Sequence, residues 1–435
     1  MRLRGDFEGL VDCRGGSIDR SIFWDREIYD AELQRIFARC WIFLAHESQI
    51  QNPGDFVTTY MGEDAVIVCR RKGGAIGAFL NSCTHRGNRV CLADYGNARR
   101  FVCNYHGWAF GLGGELLAVP EQQAYADERS LFDQTTLGLK AVAQVDSYKG
   151  LVFGTFDPNA PPLTEYLGAF TYYLDVLLDA EEGGTEVLGG CLKALMSCNW
   201  KLPAENFTGD AYHVQWTHQA GASAMISQRQ FAYDLDRSYA ANVNGHGSEF
   251  GLDGVANVAV LGHPEIVKYF RQRRATVAAR LGELRAQMWG SVSSANVFPS
   301  LSFLSGVNTL RTWIPRGPHT TELRTWVIAN KAMPDEIKEL LRTATPRAFS
   351  PSGVLEMDDG ENWELSTRAM AGVATRKERL HYGMGLHTRI DHPQLPGNVY
   401  QGQLSDANQL AFYQKWADLM SSPGPFERQD HMVAP

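Results

Sequence analysis

Two short stretches each offer one thiol and one imidazole: Cys83-Thr84-His85 and Cys103-Asn104-Tyr105-His106, with seventeen residues (Arg86 to Val102) between them. Two thiolates and two imidazoles brought together make a metal centre, and few centres suit that set. Zinc takes it tetrahedrally, usually from like ligands grouped along the chain as C-x2-4-C and then H-x3-5-H. A Rieske [2Fe–2S] cluster puts two cysteines on one iron and two histidines on the other, drawing one of each from two loops. The mixed pairs follow the second pattern. Cys83, His85, Cys103 and His106 are therefore expected to bind one [2Fe–2S] cluster.

A second constellation lies in the stretch from Asn199 to His218, which reads Asn-Trp-Lys-Leu-Pro-Ala-Glu-Asn-Phe-Thr-Gly-Asp-Ala-Tyr-His-Val-Gln-Trp-Thr-His. Pro203 suits a helix start. Asn206, Asp210 and His213 fall at i, i+4 and i+7, which places them on one helical face. His218 comes five residues after His213. Five residues of α-helix rotate by about 500°, so a straight helix points His218 roughly 140° away. If both imidazoles bind one metal, the helix must end, bend or bulge between them. Two imidazoles and one carboxylate on one face of Fe(II) make an oxygen-activating centre with open positions. The carboxylate has two sources: Asp210, local but well placed to hold the His213 ring, and the remote acidic run Glu356-Met357-Asp358-Asp359-Gly360-Glu361.

These motifs resemble the catalytic α subunits of Rieske non-haem iron aromatic-ring-hydroxylating dioxygenases, of the naphthalene and biphenyl dioxygenase type, along most of the chain. The spacing of Cys83, His85, Cys103 and His106, that of Asn206, Asp210, His213 and His218, and the run Phe349-Ser-Pro-Ser-Gly-Val-Leu-Glu-Met-Asp-Asp359 carry the likeness. The resemblance implies His213, His218 and Asp359 as ligands of one mononuclear Fe(II). It makes Asp210, assisted by Asn206, a bridge from His213 to the cluster histidine, here His106, of a neighbouring copy. By pattern alone Phe207, Ala211, Val214, Phe349 and Leu355 are core positions; the resemblance places them around a substrate pocket.

Elements must hold these groups. Ala31 to Arg39 carries Leu33, Ile36 and Phe37 at helical spacing behind Asp30, a good N-cap. From Trp41 short apolar runs (41–44, 56–60, 65–69, 76–80, 151–156) alternate with Gly, Asn and Asp, the mark of small antiparallel strands. Pro161-Pro162 reads as a boundary. Beyond it come a helix with Leu167, Phe170, Leu174 and Leu178 on one face, a strand near 191–200, a long helix at 265–289, a hairpin within 302–330, a helix after Pro334 and a last helix at 407–420. Residues 219–262 show little periodicity and are expected to be mobile. The expected fold class is α+β: an N-terminal helical arm (1–39) packing on the catalytic domain, an all-β Rieske domain (40–157), and a larger helix-grip-like catalytic domain (158–435) with an antiparallel sheet and helices.

The chain has 435 residues, 44% hydrophobic and 21% charged, with a formal net charge of −8. No basic block supports nucleic-acid binding, and no apolar run of about 18 residues supports a membrane span. The N-terminus has no apolar signal segment. Six of the eight cysteines lie outside the cluster motif and show no framework spacing, which reads as free thiols in a reducing cytoplasm. The resemblance implies a terminal oxygenase that takes O2 and two electrons, ultimately from NAD(P)H through a ferredoxin or reductase, and cis-dihydroxylates an aromatic substrate. It also implies an α3 or α3β3 ring with a small β subunit. Two other readings remain at this point: a monooxygenase of an aromatic acid such as salicylate, and a Rieske electron carrier.

Overall fold

The apolar runs after Trp41 become antiparallel ladders. In this computed structural model, which describes residues 7–125, 132–226 and 234–430, Asp55–Met61, Asp64–Arg70 and Ile76–Leu80 pair in succession, and Tyr95–Asn97 adds beside Asp55–Met61. Ile42–His46, Leu151–Thr155 and Gln144–Tyr148 form a three-stranded sheet, and Phe101–Val102, Ala109–Phe110 and Leu116–Ala118 another. The β-branched run Val66-Ile67-Val68 is fully buried, as suits a central strand. One cluster of buried side chains joins Phe56, Ile67, Phe79, Phe101, Trp108 and Phe110, and it includes Cys83 and Cys103. The two thiols thus belong to the core of this β unit.

The chain divides into two compact units: Phe37–Leu163 is one, and Met1–Ile36 together with Thr164–Pro435 is the other. The second is built on a nine-stranded antiparallel sheet. Its strands lie in the order Thr185–Met196, Thr321–Asn330, Thr309–Pro315, Leu301–Ser305, Ser293–Val297, His246–Gly251, Ser238–Val243, Asn398–Gln401 and Arg389–Ile390. The helix Lys201–Gly209 lies on His246–Gly251 and Ser293–Val297, and the helix Ala407–Met420 lies beside it. Leu202, Pro203, Ala204 and Phe207 are buried apolar groups of that central helix. Its C-terminal carbonyls are met by buried amides of the neighbouring helix: Asn408 Nδ2 donates to Thr208 O at 2.8 Å and Gln409 Nε2 to Gly209 O at 2.7 Å. These bonds satisfy acceptors that a helix end leaves open, and they fix where the helix stops.

One buried carboxylate of the N-terminal arm gathers three donors from the rest of the second unit. Glu32 accepts from Lys201 Nζ at 2.6 Å, Trp416 Nε1 at 2.7 Å and Trp200 Nε1 at 2.8 Å, and both charged side chains are fully buried.

Several local expectations change. The first α-helix is Arg26–Glu32, capped by Asp25 rather than Asp30, because the Asp25 carboxylate accepts from Glu27 N and Ile28 N; a π turn, Leu33–Phe37, follows. The long helix expected at 265–289 is two, Pro264–Leu281 and Glu283–Met288, parted at Gly282 with φ 92°. Residues 219–262, expected to be mobile, hold the helix Gln219–Ile226, the paired strands Ser238–Val243 and His246–Gly251, and the 3-10 segment Gly254–Leu261; 227–233 lie outside the described residues. Ladder bonds to Asn398–Gln401 and Ser293–Val297 order the two strands of this stretch, and a non-local cause of that kind leaves no periodicity in a Gly- and Ser-rich sequence.

Candidate functional site

The two Cys/His loops are built alike. Cys83 N donates to Asn88 O and Gly87 N to Cys83 O, both at 2.8 Å; Cys103 N donates to Trp108 O and Gly107 N to Cys103 O, both at 2.9 Å. Gly87 (φ 73°) and Gly107 (φ 74°) take the left-handed conformation each turn needs. The loops bring like groups together. The Cys83 and Cys103 side chains are within hydrogen-bond reach of each other, and the rings of His85 and His106 lie with centroids 4.5 Å apart. The thiols are buried and the imidazoles half-buried. His85 stacks on Trp108 at 4.8 Å, and its buried Nδ1 has no hydrogen-bond partner among the described residues. Burial opposes ionisation of Cys103, but hydrogen bonds from Tyr105 N, Asn88 Nδ2, the Cys83 thiol and His106 N outweigh it and hold the thiol below its ordinary value. Paired thiols inside and paired imidazoles outside fit a cluster with two sulfur-ligated and two nitrogen-ligated positions.

The second constellation forms where the central helix ends. Gly209 (φ 136°) and Asp210 (φ −129°, ψ 69°) break it; Ala211–His213 is a 3-10 turn, and a single α turn, Val214–Thr217, ends at His218. The continuous helical face expected for Asn206, Asp210 and His213 is therefore absent, since the main break precedes His213 instead of following it. The three side chains still meet. Asn206 Nδ2 donates to Asp210 Oδ2 at 3.3 Å and lies 3.4 Å from His213 Nδ1, which is 3.3 Å from Asp210 Oδ2.

His213 Nε2 and His218 Nε2 are 3.2 Å apart, and each is 3.3 Å from Asp359 Oδ1. Among the described residues, this is the group of three such side chains whose ligand atoms gather within 4.8 Å. Ligands at about 2.1 Å from one metal are separated by about 3.0 Å at right angles and about 3.4 Å in a tetrahedron, so the triangle has the size of a metal's ligand face. Its electrostatics agree. Burial opposes charge on His213, yet hydrogen bonds to Asp210 and Asp359 hold its pKa well above the usual imidazole value. Burial lowers His218, with Asp359 opposing the shift. The place attracts one cation among two rings and a carboxylate.

Asp359 is positioned from two sides. It sits in the first turn of Glu356–Met370. The first residue of that helix, Glu356, is clamped by Arg311 of the strand Thr309–Pro315, with Nη2 2.6 Å and Nε 3.2 Å from Oε2. Farther along, Asn362 Nδ2 donates to Thr217 Oγ1 at 3.2 Å, one residue before His218.

A cavity of about 230 Å³ opens over the triangle. All five expected pocket residues, Phe207, Ala211, Val214, Phe349 and Leu355, line it, as do His213, His218, Asp359, Asn206 and Asp210. The sequence reading missed Val260, Val292 and Leu304, and the polar wall groups Glu249, Asn257, Ser294, Gln403 and Arg311; Glu356 it named only within the acidic run. Strand alternation could have nominated some of these; their meeting depends on sheet register. Arg311 is a cation in the wall, but its guanidinium is bound to Glu356 and lies 4.7 Å from the Phe207 ring centroid.

A family model described as ring hydroxylating alpha subunit (catalytic domain) matches residues 168–422, and one described as Rieske [2Fe-2S] domain matches 40–146. The benzene 1,2-dioxygenase α subunit of Pseudomonas putida is 40% identical, covering 97% of this chain and 96% of that protein. The chain belongs to the ring-hydroxylating dioxygenase α subunits. The biphenyl 2,3-dioxygenase α subunit of Rhodococcus jostii is 41% identical over 96% of this chain and 92% of that one. A solved structure of naphthalene 1,2-dioxygenase with indole in its active site superposes with a TM-score of 0.91 at 35% identity, covering 98% of this chain and 97% of that one.

The chain is thus an oxygenase subunit of the α+β class, with a Rieske domain and a ring-hydroxylating catalytic domain. The electron-carrier alternative falls, because the likeness to dioxygenase α subunits spans both parts of the chain. In such an oxygenase a Rieske cluster and a mononuclear iron are the cofactors implied by the two domains, and both donor sets described above fit them.

Proposed function

We propose that this α subunit cis-dihydroxylates an aromatic ring with O2 and two electrons from a redox partner. The observation that carries the proposal is the His213–His218–Asp359 triangle opening on a cavity walled in part by Phe207, Val214, Phe349 and Leu355. Cys83, His85, Cys103 and His106 would bind the [2Fe–2S] cluster; His213, His218 and Asp359 would bind one Fe(II). When bound, the iron supplies reductive activation of O2, using electrons passed on from the cluster.

The chain's own groups bind, orient and exclude. Asp210, itself held by Asn206 Nδ2, accepts from the outer nitrogen of His213 and so fixes the direction of the other toward Asp359. Phe207, Val214, Phe349 and Leu355 offer flat apolar contact to a ring and keep water from it. Asp210, whose side chain is 32% exposed, is the group we assign to meet His106 of the partner subunit in a head-to-tail α3 ring. Relatives named as "subunit alpha" support a further kind of subunit, which we take to be a small β subunit in an α3β3 assembly. A ferredoxin or reductase would supply the electrons. No helix among the described residues is long and apolar enough to cross a membrane, and we assign the chain to the cytoplasm. The domain limits we adopt are 1–39, 40–157 and 158–435.

An aromatic ring without a carboxylate is the favoured substrate class, because relatives are named for benzene, biphenyl and naphthalene and because Arg311, the cation in the wall, is taken by Glu356 and not free for a carboxylated substrate. The test is anaerobic iron loading followed by turnover with a reconstituted electron-transfer chain. We expect about three irons per chain and, from naphthalene or biphenyl under 18O2, a cis-dihydrodiol with both oxygens labelled. A singly labelled phenol as the primary product, or turnover of salicylate alone, would overturn the reading.

A further inference from the structure

The cavity floor is graded from polar to apolar. Glu249 on His246–Gly251 is directly opposite Ser294 on Ser293–Val297, and Ser294 is directly opposite Leu304 on Leu301–Ser305. Side chains directly opposite on neighbouring strands share one face of the sheet, and all three line the cavity. Across three strands the floor therefore runs carboxyl, hydroxyl, isobutyl.

Glu249 is held firmly in this row. One carboxyl oxygen accepts from Ala211 N at 2.8 Å, and no second hydrogen bond is made to the carboxyl among the described residues. The central helix presses on it: a Cβ added at Gly209 would lie 2.6 Å from Glu249 Cβ. A buried carboxyl with unused hydrogen-bonding capacity is costly, and a pocket meant only for hydrocarbon has no use for one. Burial, reinforced by Asp210, pushes the group up to about 8, so near neutral pH it carries a proton and can donate as well as accept.

We infer that Glu249 is a specificity-determining residue that receives a hydroxyl or amino substituent of the aromatic substrate, with Ser294 beside it, while the ring extends toward Leu304. Phenols and anilines are then preferred over hydrocarbons of the same shape. Such substituents both donate and accept, which matches a carboxylic acid. The inference rests on the dioxygenase reading and names the substrate class of that same cavity.

Toluene and aniline isolate the effect, because a methyl and an amino group are nearly isosteric. The measurements are kcat/KM for each with the iron-loaded enzyme and its electron-transfer chain, and Kd for each by calorimetry. In Glu249→Leu the aniline-to-toluene ratio should fall roughly tenfold or more in both measurements. Glu249→Gln, which still donates and accepts, should keep most of the preference. Ser294→Ala should shift the ratio the same way by a smaller factor, and it carries the test if Glu249→Leu does not fold. Equal ratios in the wild type, Glu249→Leu and Ser294→Ala would overturn the assignment. Failure of the wild type to oxygenate any ring would instead overturn the dioxygenase reading, and the Kd ratios would still decide the role of Glu249.

Discussion

His213 Nε2 and His218 Nε2 stand 3.2 Å apart, although a five-residue step in a straight helix would turn the two rings away from each other. The 3-10 turn Ala211–His213 and the end of the α turn at His218 bring them to one side. If the triangle they form with Asp359 binds the mononuclear iron, His218→Ala should lower metal content by about one iron per chain and leave the cluster spectrum intact. Iron analysis beside visible absorbance checks this. Loss of the cluster signal in step with the iron would argue against two separate centres.

Asp210 touches the outer nitrogen of His213 and has no contact with the triangle's inner face that would make it a ligand. Asp210→Ala should therefore keep the iron complement and stop turnover, while Asp210→Asn, which can still accept a hydrogen bond, retains a measurable fraction. Rapid mixing of reduced enzyme with O2 and substrate reads the cluster's reoxidation directly. Normal activity in the alanine variant would remove Asp210 from the electron path.

Glu32 gathers Lys201, Trp200 and Trp416 around one buried carboxylate. Burial lowers the Lys201 pKa and Glu32 opposes that shift, so the ammonium depends on its partner. Glu32→Ala should cost about 3–5 kcal/mol, the usual result of stranding one member of a buried pair. The double variant Glu32→Ala, Lys201→Met should lose less than the sum of the single changes. Urea unfolding curves decide it, and a loss below about 1 kcal/mol would show that the pair behaves as an exposed one.

Glu205 gives a pH dependence whose sign can be worked out. Burial raises it to about 8, and the Tyr382 hydroxyl, 3.2 and 3.0 Å from its two oxygens, offsets only part of that. The folded protein keeps the proton up to about pH 8, whereas the unfolded chain releases it near the ordinary value of about 4.3. Within that window the native state binds more protons, so stability falls as pH rises, by about 1.4 kcal/mol per unit for one proton. It is level below and above the window. Glu205→Gln should remove one proton's share of the slope between pH 5 and 8; Glu249, also raised to about 8, keeps its own. An identical slope in the variant would show that Glu205 is ionised in the native state.

Local chemistry was legible where it is written in neighbouring residues. The last long helix lies at Ala407–Met420, as its periodicity indicates, and the strands Thr309–Pro315 and Thr321–Asn330 form the hairpin expected within 302–330. The N-cap was misplaced because Asp25 and Asp30 are equally good caps by type, and only the observed bonds from Glu27 N and Ile28 N choose between them. The helix break at Asp210 was placed too late, because what stops the helix includes Asn408 and Gln409, distant in sequence.

The sequence by itself determined the donor types and their spacing: one Cys and one His in each of two like loops, and His213 and His218 five residues apart with acids available. Those are covalent facts, and the metals they suit follow from ligand chemistry. Tertiary structure decided which acid faces the imidazoles, where the helix yields, and that Glu249, Ser294 and Leu304 form one row under the cavity. Strand register and helix docking are set by contacts between residues far apart in the chain, and a one-residue slip would turn each of those side chains to the opposite face.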